Sequence, residues 1–200
     1  RPPRSTLFPY TTLFRSEAII FLTDGSEEAE ALIVVDVFRR AGIGIKTVSL
    51  KDEKTIISAH DIPIGCDLTL KDFKAGDETF MIIPGGLGGT DKMKENELLK
   101  ETLTKHREKG GKLAAICAGP TVLGHFGLID GKHAACFPGC EDGLGDTVQY
   151  EKDAYVYKDD WLITGRGVGA TFDFALALVA ELRDQKTADE LAGKLQYKTR

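Results

Sequence analysis

Residues 112–120 read KLAAICAGP. Lys112 to Ile116 has the short, continuous apolar character of a strand buried on both faces. No loop separates that strand from Cys117-Ala118-Gly119-Pro120, and Pro120 suits the first turn of a helix. A strand passing straight into a helix puts Cys117 on a sharp turn, like the elbow that displays a hydrolase nucleophile. The same position predicts a thiol lowered toward thiolate by the helix N-terminus. A buried, inert cysteine is the competing reading of this residue.

Outward from this stretch, strand and helix alternate. Glu17 to Leu22 (EAIIFL) is a first buried strand that ends at Thr23-Asp24-Gly25. The following segment predicts a helix with Ser26 as N-cap, acids Glu27, Glu28 and Glu30 in its first turn, and Val34, Val35 and Phe38 on its apolar face. Arg39 and Arg40 close it before Gly42. Residues 44–50 and 79–83 are further strands, and residues 52–74 hold short β-like pieces broken by Pro63 and Gly65. Glu97 to Lys109 is a helix with Leu98, Leu99 and Leu103 on one face. Trp161 to Thr164 is a strand, and helices are expected over Thr171 to Arg183 and Thr187 to Tyr197.

This alternation implies an α/β domain with a mainly parallel sheet covered on both faces, because parallel strands require crossovers. Such sheets bind ligands beyond the carboxyl ends of their strands. Three segments leave strands at that edge: Asp24 to Glu30, Pro84 to Gly89, and Cys117 to Pro120. Together they predict a carboxylate, backbone amides on glycines and a thiol across one crevice. The glycines of residues 85–89 match neither common phosphate-loop pattern, so Gly86, with Ala118, is read as an oxyanion donor. Glu30, a candidate for that carboxylate, also fits an ordinary solvated acid of a helical first turn, a reading that describes Glu27 and Glu28 well.

The chain has 200 residues and a net charge of −5. That charge argues against nucleic acid as a partner, and no apolar run is long enough to cross a membrane as a helix. Four cysteines are too few for a disulfide scaffold, which points to a cytoplasmic setting. His133, Cys136, Cys140 and Glu141 do not match a zinc-ligand spacing, so no metal is expected. His106 and His125 read as structural residues. Residues 1–16 (RPPRSTLFPYTTLFRS) contain three arginines, three prolines and no acid. Thr6 to Ser16 resembles a translated sequencing adapter, so 1–16 is set aside as a foreign tail and 17–200 is taken as one domain. Without those arginines the charge falls from −5 to −8.

The motifs GSEEAE (25–30), VDVFRRAG (35–42), IIPGG (82–86), AAICAGPT (114–121) and ITGRGVG (163–169), in this order, resemble the ThiJ/PfpI superfamily, in the branch of the DJ-one protein deglycase. The resemblance implies a flavodoxin-like, class I glutamine amidotransferase-like three-layer sandwich, a homodimer, and no cofactor. It implies Cys117 as the reactive, oxidisable cysteine, Glu30 as the carboxyl group bonded to its sulfur, and the Gly86 and Ala118 amides as the oxyanion site. Arg40 and Arg166 match basic positions near the pocket, and His60 a position that reaches the partner subunit's pocket. Phe137, in Cys136-Phe137-Pro138, stands where one branch carries a histidine, as in bacterial relatives. Ala118 stands where the peptidase branch has its histidine, so a peptidase loses its general base, and amidotransferase-like hydrolysis lacks a histidine as well. Two functions remain: a deglycase or glyoxalase-type enzyme acting on small dicarbonyl or glycated substrates, or a redox sensor or stress chaperone worked by oxidation of Cys117.

Overall fold

A computed structural model describes residues 17–198. The first strand, β1 (Ala18–Leu22), is buried throughout, and its alternation divides the core. Ala18, Ile20 and Leu22 face one hydrophobic cluster, while Ile19 and Phe21 face the other. Two-sided burial of this kind is what a central strand of a helix-covered sheet requires.

The remaining strands are β2 (Ile45–Ser49), β3 (Thr55–Ile57), β4 (Pro63–Gly65), β5 (Leu68–Thr69), β6 (Phe80–Ile83), β7 (Lys112–Ile116), β8 (His133–Ala134), β9 (Gln149–Tyr150), β10 (Val156–Asp159) and β11 (Leu162–Gly165). A seven-stranded sheet runs in the order β10-β11-β7-β6-β1-β2-β5. All its pairings are parallel except β10 with β11 at the edge. β3 and β4 form a separate antiparallel hairpin, and β8 pairs with β9. The broken β-like region at residues 52–74 is therefore a hairpin followed by the edge strand β5.

The helices are α1 (Glu28–Arg40), α2 (Leu87–Lys94), α3 (Glu97–Glu108), α4 (Pro120–His125), α5 (Thr171–Leu182) and α6 (Gln185–Lys194). α1, α5 and α6 cover one face, and α3 and α4 the other. The chain leaves β1 toward β2 on one side and later returns to β6 on the other, so the strand order reverses between β1 and β6. A crevice opens at such a reversal, beyond the carboxyl ends of the strands.

Several local expectations need correction. Ser26 does not cap α1: its Oγ accepts from the Thr23 amide at 3.0 Å, and Glu27 occupies the cap position with no side-chain bond to the helix. Helix α2 lies where the glycine-rich sequence gave no helical signal. Leu98 is exposed while Leu99 and Leu103 are buried. α6 starts before Thr187, because the Asp184 side chain accepts from the Thr187 amide at 2.7 Å, and it ends at Lys194. Tyr197, beyond it, stacks on Phe172 with ring centroids 4.9 Å apart. The foreign-tail reading of residues 1–16 lies outside the described residues.

Candidate active site

Strand β7 ends at Ile116, and Cys117 follows with φ 62°. This left-handed conformation is costly for a residue with a side chain, and such strain is concentrated at functional turns. The surrounding backbone holds it in place. The Cys117 amide donates to the Gly165 carbonyl at 2.9 Å, and its carbonyl accepts from the Phe137 amide at 2.9 Å. The sharp turn expected from the sequence is present.

Glu30 reaches this turn from α1, where it is fully buried. Its Oε2 accepts from the Gly85 amide at 2.7 Å. Oε1 is buried with no hydrogen-bond partner among the described residues, and the carboxyl group interacts with the Cys117 thiol. The backbone crosses over this pair at Gly85 with no room for a side chain. A Cβ there would stand 2.6 Å from both Cys117 Cβ and Glu30 Oε2, and 3.0 Å from Cys117 Sγ. Gly86 follows with φ 93°, and a Cβ on it would stand 2.2 Å from the Gly25 carbonyl oxygen. The first glycine of the pair, which sequence reasoning passed over for Gly86, is thus the one that holds the carboxyl group.

The electrostatics follow from this enclosure. Burial pushes the Glu30 carboxyl up to about 7, helped by the negative charge of Glu27 and opposed by the Gly85 amide and the thiol. Burial also pushes the Cys117 thiol up, and the facing Glu30 carboxylate adds to the push; only the Ala118 amide favours the thiolate. The lowering expected from the helix N-terminus is opposed by this burial and by the facing carboxyl group, and α4 has only six residues. The pair therefore avoids carrying two negative charges, and one proton is shared between sulfur and carboxyl.

The other expected residues divide. The Gly86 amide has no acceptor among the described residues, and the Ala118 amide faces the Cys117 sulfur. Phe137 is 49% exposed, and its ring lies 3.2 Å from where a Cβ on Gly167 would stand. That Cβ would also be 4.0 Å from Cys117 Sγ, so Phe137 and Gly167 form a wall beside the thiol. Arg166 is next to this wall, but its Nη1 donates to the Lys152 carbonyl at 2.5 Å and its guanidinium sits over Tyr155. Arg40 is ten residues beyond Glu30, about 15 Å along the helix, where it pairs with Asp36 at 2.7 Å. The structure does not bring Arg40 to Cys117 within this chain. His60 pairs with Glu28 at 2.7 Å. Cys136 is buried, and His133 pairs with Glu151, so neither joins a group of three metal-ligating side chains among the described residues.

The family model of the DJ-1/PfpI family matches residues 16–181. The chain belongs to the DJ-1/PfpI family. Among its relatives, the Parkinson disease protein 7 homolog of Danio rerio is 37% identical over 184 residues, covering 90% of this chain and 97% of the relative. The glutathione-independent glyoxalase DJR-1.2 of Caenorhabditis elegans is 31% identical over 179 residues, covering 88% of this chain and 94% of the relative. The crystal structure of Drosophila melanogaster DJ-1beta superposes with a TM-score of 0.88 at 35% identity, covering 91% of this chain and 98% of that one. The DJ-1/PfpI fold of these structures agrees with the parallel, flavodoxin-like sheet described above. No helix among the described residues is long and apolar enough to cross a membrane.

Proposed function

We propose that this chain is a cofactor-independent cysteine enzyme acting on reactive dicarbonyls or early glycation adducts, with Cys117 as nucleophile and Glu30 as proton carrier. The observation that carries the reading is the enclosed pair itself. A thiol on a strained turn faces a carboxyl group poised near neutral pH, the range in which a general base is most effective. The name of the C. elegans relative, a glutathione-independent glyoxalase, supports the same class of substrate.

In this mechanism the ionised Glu30 carboxylate takes the thiol proton as Cys117 sulfur bonds to the aldehyde carbon. The carbonyl oxygen becomes an oxyanion received by the Gly86 and Ala118 amides, and protonation gives a hemithioacetal. Glu30 then moves a proton from the former aldehyde carbon to the neighbouring carbonyl carbon through an enediol, leaving a thioester. Water hydrolyses the thioester to a hydroxy acid and restores the thiol. For a glycated amine, the nitrogen leaves with the proton that Glu30 carries. No external oxidant is needed, because one carbon is oxidised as its neighbour is reduced.

Sensing by oxidation of Cys117, without turnover, is less favoured by the same geometry. Peroxide attack requires a standing thiolate, whereas burial and Glu30 favour the protonated thiol. In the enzymatic reading the proton leaves only as the new bond forms. Methylglyoxal turnover by wild type and Cys117→Ser tests the assignment. A loss of at least about a thousandfold is expected, and unchanged turnover by the variant would overturn it.

A further inference from the structure

The Cys117 sulfur is bordered by two stretches of backbone that carry no side chain. A Cβ on Gly85 would stand 3.0 Å from Cys117 Sγ, and one on Gly167 would stand 4.0 Å from it. Both glycines keep the approach to the sulfur clear, and the gap they leave is narrow. The Phe137 ring bounds it further, 3.2 Å from the Gly167 Cβ position. A flat carbonyl group with a short substituent fits such a gap, whereas a long chain meets backbone or the ring.

The same approach is equipped for acyl transfer. The Gly86 amide has no acceptor among the described residues, and the Ala118 amide faces the sulfur. Two such amides suit the oxyanion of a tetrahedral adduct at the carbon that bonds to sulfur. The kind of acyl bond that can open there follows from the proton carriers within reach. Peptidases use a histidine to protonate the leaving amine, but within this chain none of the four histidines attends Cys117. His60 pairs with Glu28 and His133 with Glu151, while His106 lies 3.0 Å from the Lys112 carbonyl oxygen and His125 closes the far end of α4. An amide must also give up the resonance that stiffens its C–N bond. A thioester makes neither demand: exchange with Cys117 replaces one C–S bond by another, and a departing thiol has an ordinary pKa of about 8.5.

We propose, on the reading of Cys117 as nucleophile and Glu30 as proton carrier, that this site also hydrolyses short-chain acyl thioesters. Glu30 takes the thiol proton as the Cys117 sulfur bonds to the acyl carbon, and the Gly86 and Ala118 amides receive the oxyanion. Collapse of the adduct breaks the C–S bond to the departing thiol, which takes the proton from Glu30. Water then bonds to the carbon of acyl-Cys117 and passes one proton to Glu30. A second collapse frees the carboxylic acid, and the proton returns to the Cys117 sulfur. No carbon-bound proton moves and nothing is oxidised, which separates this reaction from the dicarbonyl one.

The test gives the full chain S-acetyl-N-acetylcysteamine, its S-octanoyl homologue and the matching amide N,N′-diacetylethylenediamine, with methylglyoxal turnover measured in parallel. Saturable hydrolysis of the acetyl thioester is expected, with kcat/KM at least about tenfold above that of the octanoyl thioester and no cleavage of the amide. Mass spectrometry after an acid quench should find an acetyl group on the Cys117 peptide, and Cys117→Ser should lose at least about a hundredfold in rate. No saturable thioester hydrolysis, an undiminished rate in Cys117→Ser, or equal use of the octanoyl thioester or the amide overturns the proposal. Thioester hydrolysis without methylglyoxal turnover would refute the dicarbonyl reading and leave this one standing; methylglyoxal turnover without thioester hydrolysis would do the opposite.

Discussion

Replacing Glu30 with Gln removes a titratable group from the interior while keeping its size and its ability to accept from the Gly85 amide. The wild-type carboxyl moves from an ordinary value of 4.5 to about 7 on folding. The folded state therefore holds its proton more tightly than the unfolded chain. A raised value of this kind contributes stability that is fully present below about pH 4.5 and is lost as the pH rises through about 7. Each pH unit of difference is worth 1.36 kcal/mol, so the rise from 4.5 to about 7 amounts to about 3 kcal/mol. Glu30 is fully buried, and solvent screening takes little from that value. Urea unfolding of wild type and Glu30→Gln between pH 4 and 8 isolates the effect, because the other titrating groups are common to both proteins. The stability of wild type relative to the variant is expected to fall by about 3 kcal/mol across that range. Parallel profiles would show that Glu30 titrates alike in folded and unfolded chains, which refutes the buried-carboxyl argument.

Gly85→Ala drives a methyl group between Cys117 and Glu30. It should cost about 1–3 kcal/mol of stability as an overpacked site and abolish methylglyoxal turnover, measured by melting and by rate. Gly167→Ala narrows the space beside Phe137 and should raise KM with a smaller effect on kcat; the double variant with Phe137→Ala should recover the lost affinity. Asn96→Ala removes the side chain that accepts from the Leu99 amide at 2.9 Å. Loss of this cap should destabilise the protein by about 1 kcal/mol in urea unfolding.

The elbow was legible because only Cys117, Ala118 and Gly119 separate the KLAAI strand from Pro120, so only a sharp turn fits between them. Glu30 was legible through the family motif, because its sequence neighbourhood is equally acidic and the residue pattern alone left it open as a solvated first-turn acid. What the sequence misjudged depended on contacts made in three dimensions. Glu27 and Glu28 read as solvated acids, yet they are enclosed with His60, which lies 32 residues away in the chain. The thiol was expected to be lowered by a helix dipole, and the sequence did not show the burial and the facing carboxyl group that oppose this. Helix α2 was invisible because Gly88 and Gly89 lower local helix propensity, and tertiary contacts form it instead. Arg40 matched a motif, and within this chain the length of α1 separates it from Cys117.

The central claim is that Cys117 and Glu30 act as one proton-sharing pair in dicarbonyl turnover. The direct measurement is kcat/KM for methylglyoxal against pH in wild type and Glu30→Gln. The account expects wild-type kcat/KM to rise with pH through about 7, as the Glu30 carboxylate becomes available to take the thiol proton. The variant should be at least about a hundredfold slower and should lack that rise. Equal rates with superimposable pH profiles would contradict it.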